Sequence, residues 1–130
     1  MHTSIFKYGE LPEFKKFTPE SINKQFPVVL QKIAEDFKNI EKNLSNYLIH
    51  NDLNWDNVIN PLNEINEILR WSWGVISHLN AVNNSESLRD IYSKFLPEII
   101  SLSNKFGQSK VIYNSLVKLK KTNNLSLIHI

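Results

Sequence analysis

Ten apolar side chains between Ile22 and Leu48 (Ile22, Phe26, Val29, Leu30, Ile33, Phe37, Ile40, Leu44, Tyr47 and Leu48) recur mostly in steps of three or four. That spacing lines one face of an α-helix and cannot line a face of a strand, whose side chains alternate with a period of two. A segment this long and this regular commits the chain to helical packing before anything else is known of it.

The boundaries of this first helix are written locally. Thr18-Pro19-Glu20 supplies an N-cap, a proline at the first helical position and an acid in the first turn. Pro27 removes a backbone donor inside the pattern and predicts an early kink. His50 to Asn54 reads as a turn carrying a second cap, and Trp55-Asp56-Asn57 opens another helix, with Pro61 near its start. Here two stripes appear, one through Val58, Leu62, Ile65, Leu69, Trp73 and Ile76, the other through Ile68, Trp71, Val75, Leu79 and Val82. Trp71 and Trp73 lie about 200° apart around a helix axis, so burying both requires neighbours on two faces and predicts that this helix is central.

Asn83-Asn84-Ser85 caps a third helix whose face runs Leu88, Ile91, Tyr92, Phe95, Leu96, Ile99, Ile100, Leu102 and Phe106. Pro97 predicts a bend, and Gly107 is placed to end the helix in a left-handed conformation. A fourth helix, from about Ser109 to Lys121, sets Ile112, Leu116 and Leu119 on one side, with Lys118, Lys120 and Lys121 at its C-terminal end. Residues 1–17 show scattered aromatics, Gly9 and Pro12 without a period, and predict an extended arm packed on a surface. The expected fold is therefore all-α: an up-and-down array of three to four long helices with an extended N-terminal arm, over residues 18–124. The first two helices, near 30 residues each, would be about 45 Å long. Such length and such wide apolar faces suggest one end of something larger.

At 130 residues the chain is one domain, able to bury about two thirds of its unfolded surface. Fifteen basic and thirteen acidic side chains leave a net charge of +2, too small a bias to predict a nucleic-acid partner or an anionic membrane. No run of eighteen apolar residues exists to span a bilayer, and the first twenty residues lack the apolar core of a signal peptide. The absence of cysteine excludes disulfides, thiolate metal sites and a cysteine nucleophile, and a cytoplasmic location is expected.

Chemistry-bearing residues are present without the spacing that chemistry requires. His2, His50, His78 and His129 form no paired-ligand motif, so no metal site is expected. Glu64 and Glu67, like Glu35 and Asp36, read as solvated helix faces. Ser77, Ser85 and Ser87 lack a nucleophile elbow and read as caps or surface hydroxyls. Three glycines build no phosphate loop. Asn43-Leu44-Ser45 and Asn83-Asn84-Ser85 match the glycosylation pattern but carry no weight without an export signal. No catalytic, cofactor-binding or metal-ligating residue is assigned. From the residues alone, an independent helical bundle that binds a partner in an apolar groove stays open.

The order of motifs says more. LPEF, TPE, WDNVINPL, SHLNAVNNSESLRDIY, LPEI and FGQSKVIYNSL together resemble the amino-terminal region of the oligopeptidase A group in the thimet oligopeptidase family of zinc metallopeptidases. The resemblance covers most of residues 10 to 120 and is most specific from Ser77 to Tyr92. Val75 stands where the family often has proline, and Ser21 where it has histidine after P-E. The family's H-E-x-x-H motif and downstream glutamate ligand belong to a distant carboxyl-terminal half and have no counterpart here. The resemblance implies a helical stretch that forms one wall of a channel admitting short peptides. It further implies zinc in the full-length parent and none in this fragment, and, as partner, the missing C-terminal catalytic domain of the same chain. The closing LSLIHI, residues 125–130, departs from the family pattern and is expected to be a non-native read-end tail.

Overall fold

A computed structural model describes residues 4–83 and 85–122 of the chain. The expected tail at 125–130 and the histidines at 2 and 129 lie outside the described residues. Four α-helices follow a short 3-10 turn at Phe14–Lys16: α1 (Pro19–His50), α2 (Trp55–Asn83), α3 (Glu86–Gln108) and α4 (Lys110–Thr122). No strand occurs among the described residues.

Helix starts are built from short polar side chains that satisfy backbone donors left unpaired in a first turn. At α1 the Ser21 N–H donates to Thr18 Oγ1 at 3.2 Å while the Thr18 N–H donates to Ser21 Oγ at 2.9 Å, a reciprocal capping box. Ser21, the departure from the family motif, is thus half of this cap. Asn54 and Asn57 repeat the device at α2, each side-chain oxygen accepting from the other's backbone N–H at 2.8 and 2.9 Å. Ser85 caps α3 by accepting from the Leu88 N–H at 3.1 Å.

Helix ends differ from expectation at one point. Asn51 ends α1 in the left-handed conformation, φ 57° and ψ 40°, a role for which Asn is second only to Gly. Gly107 does not do the same for α3. The helix runs one residue beyond it to Gln108, and the break falls at Ser109, whose φ of −69° and ψ of 116° are extended. Ser109 serves both helices: its carbonyl accepts from Tyr113 N–H at 3.0 Å and opens α4, and its hydroxyl donates to Glu41 on α1 at 2.7 Å. The break thus coincides with a side-chain anchor to another helix, which no local pattern encodes. Pro27, Pro61 and Pro97 all lie inside unbroken helices.

The first three helices pack on one another. Asn23 accepts from Lys94 at 2.8 Å, Phe26 meets Phe95 edge-on at 5.0 Å and Phe37 meets Phe106 at 4.5 Å. Residue numbers rise together along the two helices, so α3 runs parallel to α1, with α2 returning between them in sequence. α4 then packs on α1 and, less extensively, on α2. The central position expected of α2 is borne out and is shared with α1, since each of these two helices packs against all three others.

Phe26, fully buried, is the middle of the core, ringed by Phe6 of the arm at 5.4 Å, Trp73 at 6.1 Å and Phe95. The two-faced reading of α2 holds in detail. Trp73 is sandwiched between Phe26 and Tyr92, and Trp71, on the other side, meets Tyr8 of the arm edge-on at 6.4 Å. Each ring finds an aromatic neighbour at a favoured separation.

Candidate functional site

The residues with possible chemistry are dispersed. His50 sits in the last turn of α1, its Nδ1 2.9 Å from the Asn46 carbonyl. His78, on α2, lies against the Phe14 ring at 5.5 Å. Glu35 accepts from Gln31 at 3.4 Å, and Asp36 pairs with Lys32 at 3.4 Å, both one turn apart on α1. Ser85 is consumed as a helix cap, Ser77 is half-buried and Ser87 is exposed. Among the described residues no three His, Cys, Asp or Glu side chains gather in a way that could hold a metal ion. The donors among the described residues therefore do not fit a zinc site.

Glu67 has a function that its sequence context did not reveal. It accepts a short hydrogen bond of 2.5 Å from the Tyr8 hydroxyl, fifty-nine residues away. That bond, followed by burial and the negative charges of Glu67 and Glu64, raises the Tyr8 phenol above its ordinary value of 10.0. The arm is fastened at two further points: the Ile5 N–H donates to Gln25 at 2.8 Å, and Phe17 is buried beside Phe6. Glu13 carries a carboxyl held below the usual range by the hydrogen bond from Lys16 at 2.8 Å. This pair is open to water and contributes little to stability. No local signal marks Tyr8 or Glu67 as partners, because such a pair is visible only once the arm lies on α2.

What remains is surface. If the chain belongs to something larger, the faces from Phe95 to Phe106 and from Val111 to Leu119 are expected to be bare. On α3 that expectation fails for the most part: Phe95, Ile99 and Leu102 are buried by the neighbouring helices, and Ile100 alone stands out at 51% exposed. On α4 it is half met. Ile112 and Leu119 turn inward, while Tyr113, Leu116 and Val117 are exposed to 58, 39 and 38%. Together with Phe106 these three line an open concavity where α3 passes into α4, with Lys120 at its edge. A second apolar groove lies between the arm, α1 and α2, lined by Phe6, Val28, Ile33, Ile65 and Ile68. No helix among the described residues is long and apolar enough to cross a membrane.

A family model for the N-terminal domain of neurolysin/thimet oligopeptidase matches residues 26–129. Oligopeptidase A of Haemophilus influenzae is 37% identical over 122 residues, 94% of this chain but 17% of its own length. Oligopeptidase A of Escherichia coli is 31% identical over 111 residues, 85% of this chain and 15% of its own. A probable cytosolic oligopeptidase A of Arabidopsis thaliana is 27% identical over 113 residues, 87% of this chain and 15% of its own. No solved structure gives a significant match. The chain thus spans less than a fifth of the length of these relatives. By the family model and by identity over nearly its whole extent, it belongs to the neurolysin/thimet oligopeptidase family, within that family's N-terminal domain.

Proposed function

We propose that this chain is the N-terminal helical part of an oligopeptidase A-like zinc metallopeptidase whose complete form hydrolyses short oligopeptides in the cytoplasm. In this reading residues 18–124 form a helical domain, the arm at 1–17 braces it, and the assembly is one wall of the channel that admits peptides. Zinc and the general-base glutamate are supplied by polypeptide outside these 130 residues, and no residue here enters the reaction. The observation that carries the reading is 37% identity to an oligopeptidase A over 94% of the chain.

Two samples test it. The purified chain is expected neither to bind zinc stoichiometrically nor to cleave a quenched fluorescent peptide. A chimera in which this chain replaces the matching 17% of the Haemophilus influenzae oligopeptidase A is expected to cleave that peptide in a chelator-sensitive way. Cleavage by the chain alone, or a folded chimera without activity, overturns the reading. The three-helix core, closed around Phe26 and Phe95 with capped helix starts, supports a second reading, an independent helical-bundle interaction module. Chromosomal sequence continuing in frame to an H-E-x-x-H motif would rule the module out, and an authentic stop codon after residue 124 would favour it.

A further inference from the structure

The outer side of α4 joins exposed apolar side chains to charge of a single sign. Helical spacing turns Tyr113 and Val117 away from the buried Ile112, Ser115 and Leu119, while Leu116 borders that buried stripe and is still exposed. Lys110, Lys120 and Lys121 stand exposed on that same outer side, and α4 contains no acidic residue. Glu41 of α1, which reaches this joint, is bonded to Ser109. Phe106 and Gly107 complete a concave floor with no carboxylate in its lining.

We infer that this face docks a polypeptide segment of the same parent protein, apolar along its middle and acidic at its edges. The source of the segment rests on the oligopeptidase reading, in which more than four fifths of the relatives' length lies outside the matched stretch. Its chemistry rests on the face itself: leucine, valine and aromatic rings need an apolar counterpart, and a rim of cations with no anion selects carboxylates. A second copy of this chain would bring lysines against lysines, which disfavours self-association. A lipid surface is flat and cannot follow an apolar floor recessed between two helices.

The chemistry is tested on the chain with a synthetic leucine-striped helical peptide flanked by glutamates, read by fluorescence polarisation. Binding is expected to weaken roughly tenfold in the double variant Lys110→Glu, Lys120→Glu, and carbodiimide is expected to couple Lys110, Lys120 or Lys121 to the peptide's carboxylates. Equal binding of a lysine-flanked version, no binding of either peptide, or capture by phosphatidylglycerol vesicles in preference to the peptide overturns the inference. The source is tested by nitration with tetranitromethane, mapped by mass spectrometry. Tyr113 is expected to react in the chain alone and to be shielded in the Haemophilus chimera. Equal nitration in an active chimera refutes the docking surface and leaves the oligopeptidase reading standing; shielding in an inactive chimera does the reverse.

Discussion

At the scale of single residues, two polar side chains tie distant parts of the chain together. Tyr8 donates to Glu67 and clasps the arm to α2. Because the hydrogen bond needs the protonated phenol, the folded state holds its proton more tightly than the unfolded one. The clasp is therefore complete below the ordinary tyrosine value of 10.0 and is lost as pH rises through the higher folded value. The ultraviolet titration of the wild type minus that of Tyr8→Phe is expected to show a midpoint above 10, and Glu67→Gln is expected to bring it back toward 10. A difference titration centred at or below 10 would contradict the clasp. Ser109 is the second tie: its hydroxyl donates to Glu41 at 2.7 Å and accepts from the Ile112 N–H at 3.4 Å. Ser109→Ala removes a cap and a charge-assisted bond, and urea unfolding is expected to show a loss of about 1–2 kcal/mol.

At the scale of elements, each helix carries its own instructions, and their consequences are separable. Thr18→Ala dismantles the capping box at α1 and is expected to cost about 1 kcal/mol, with amide exchange rising in the first turn and not elsewhere. Pro97 lies exposed within α3, where its ring removes one backbone bond from an otherwise continuous helix. Pro97→Ala restores that donor and is expected to raise the melting temperature; a lower one would mean that the proline-imposed bend is needed to seat α3 on α1. Starts of helices were legible because caps act within three residues. The end of α3 was not legible, since Gly107 advertised a stop while the helix runs on to Gln108 and breaks at Ser109, where the chain is bonded to Glu41 of α1.

At the scale of the whole molecule, the core converges on Phe26, which joins the arm, α2 and α3 through rings at 5.0 to 6.1 Å. Phe26→Ala opens a cavity at the point where those three meet and is expected to cost about 3–5 kcal/mol by urea unfolding. The same variant should loosen the arm, seen as faster proteolysis within residues 4–17, because Phe6 loses its floor. A loss below about 1 kcal/mol would place the centre of the core elsewhere. The closed state of this core also explains why the broad apolar face of α3 is not bare. Most side chains expected to meet a distant domain are met by α1 and α2, whereas the outer side of α4 keeps Tyr113, Leu116 and Val117 exposed.

Helical class, four segments, their capped starts and the family resemblance were all determined by the sequence alone, because periodicity and capping are interactions among residues three or four apart and motif order needs no coordinates. Tertiary structure alone decided that α1 shares the central position with α2, that Tyr8 finds Glu67, that Ser109 bonds to Glu41 where α3 stops, and which side of α4 is left uncovered. Each of those outcomes depends on which of several equally apolar faces meet first across long stretches of chain. A stripe of side chains states that it must be buried and does not state against what.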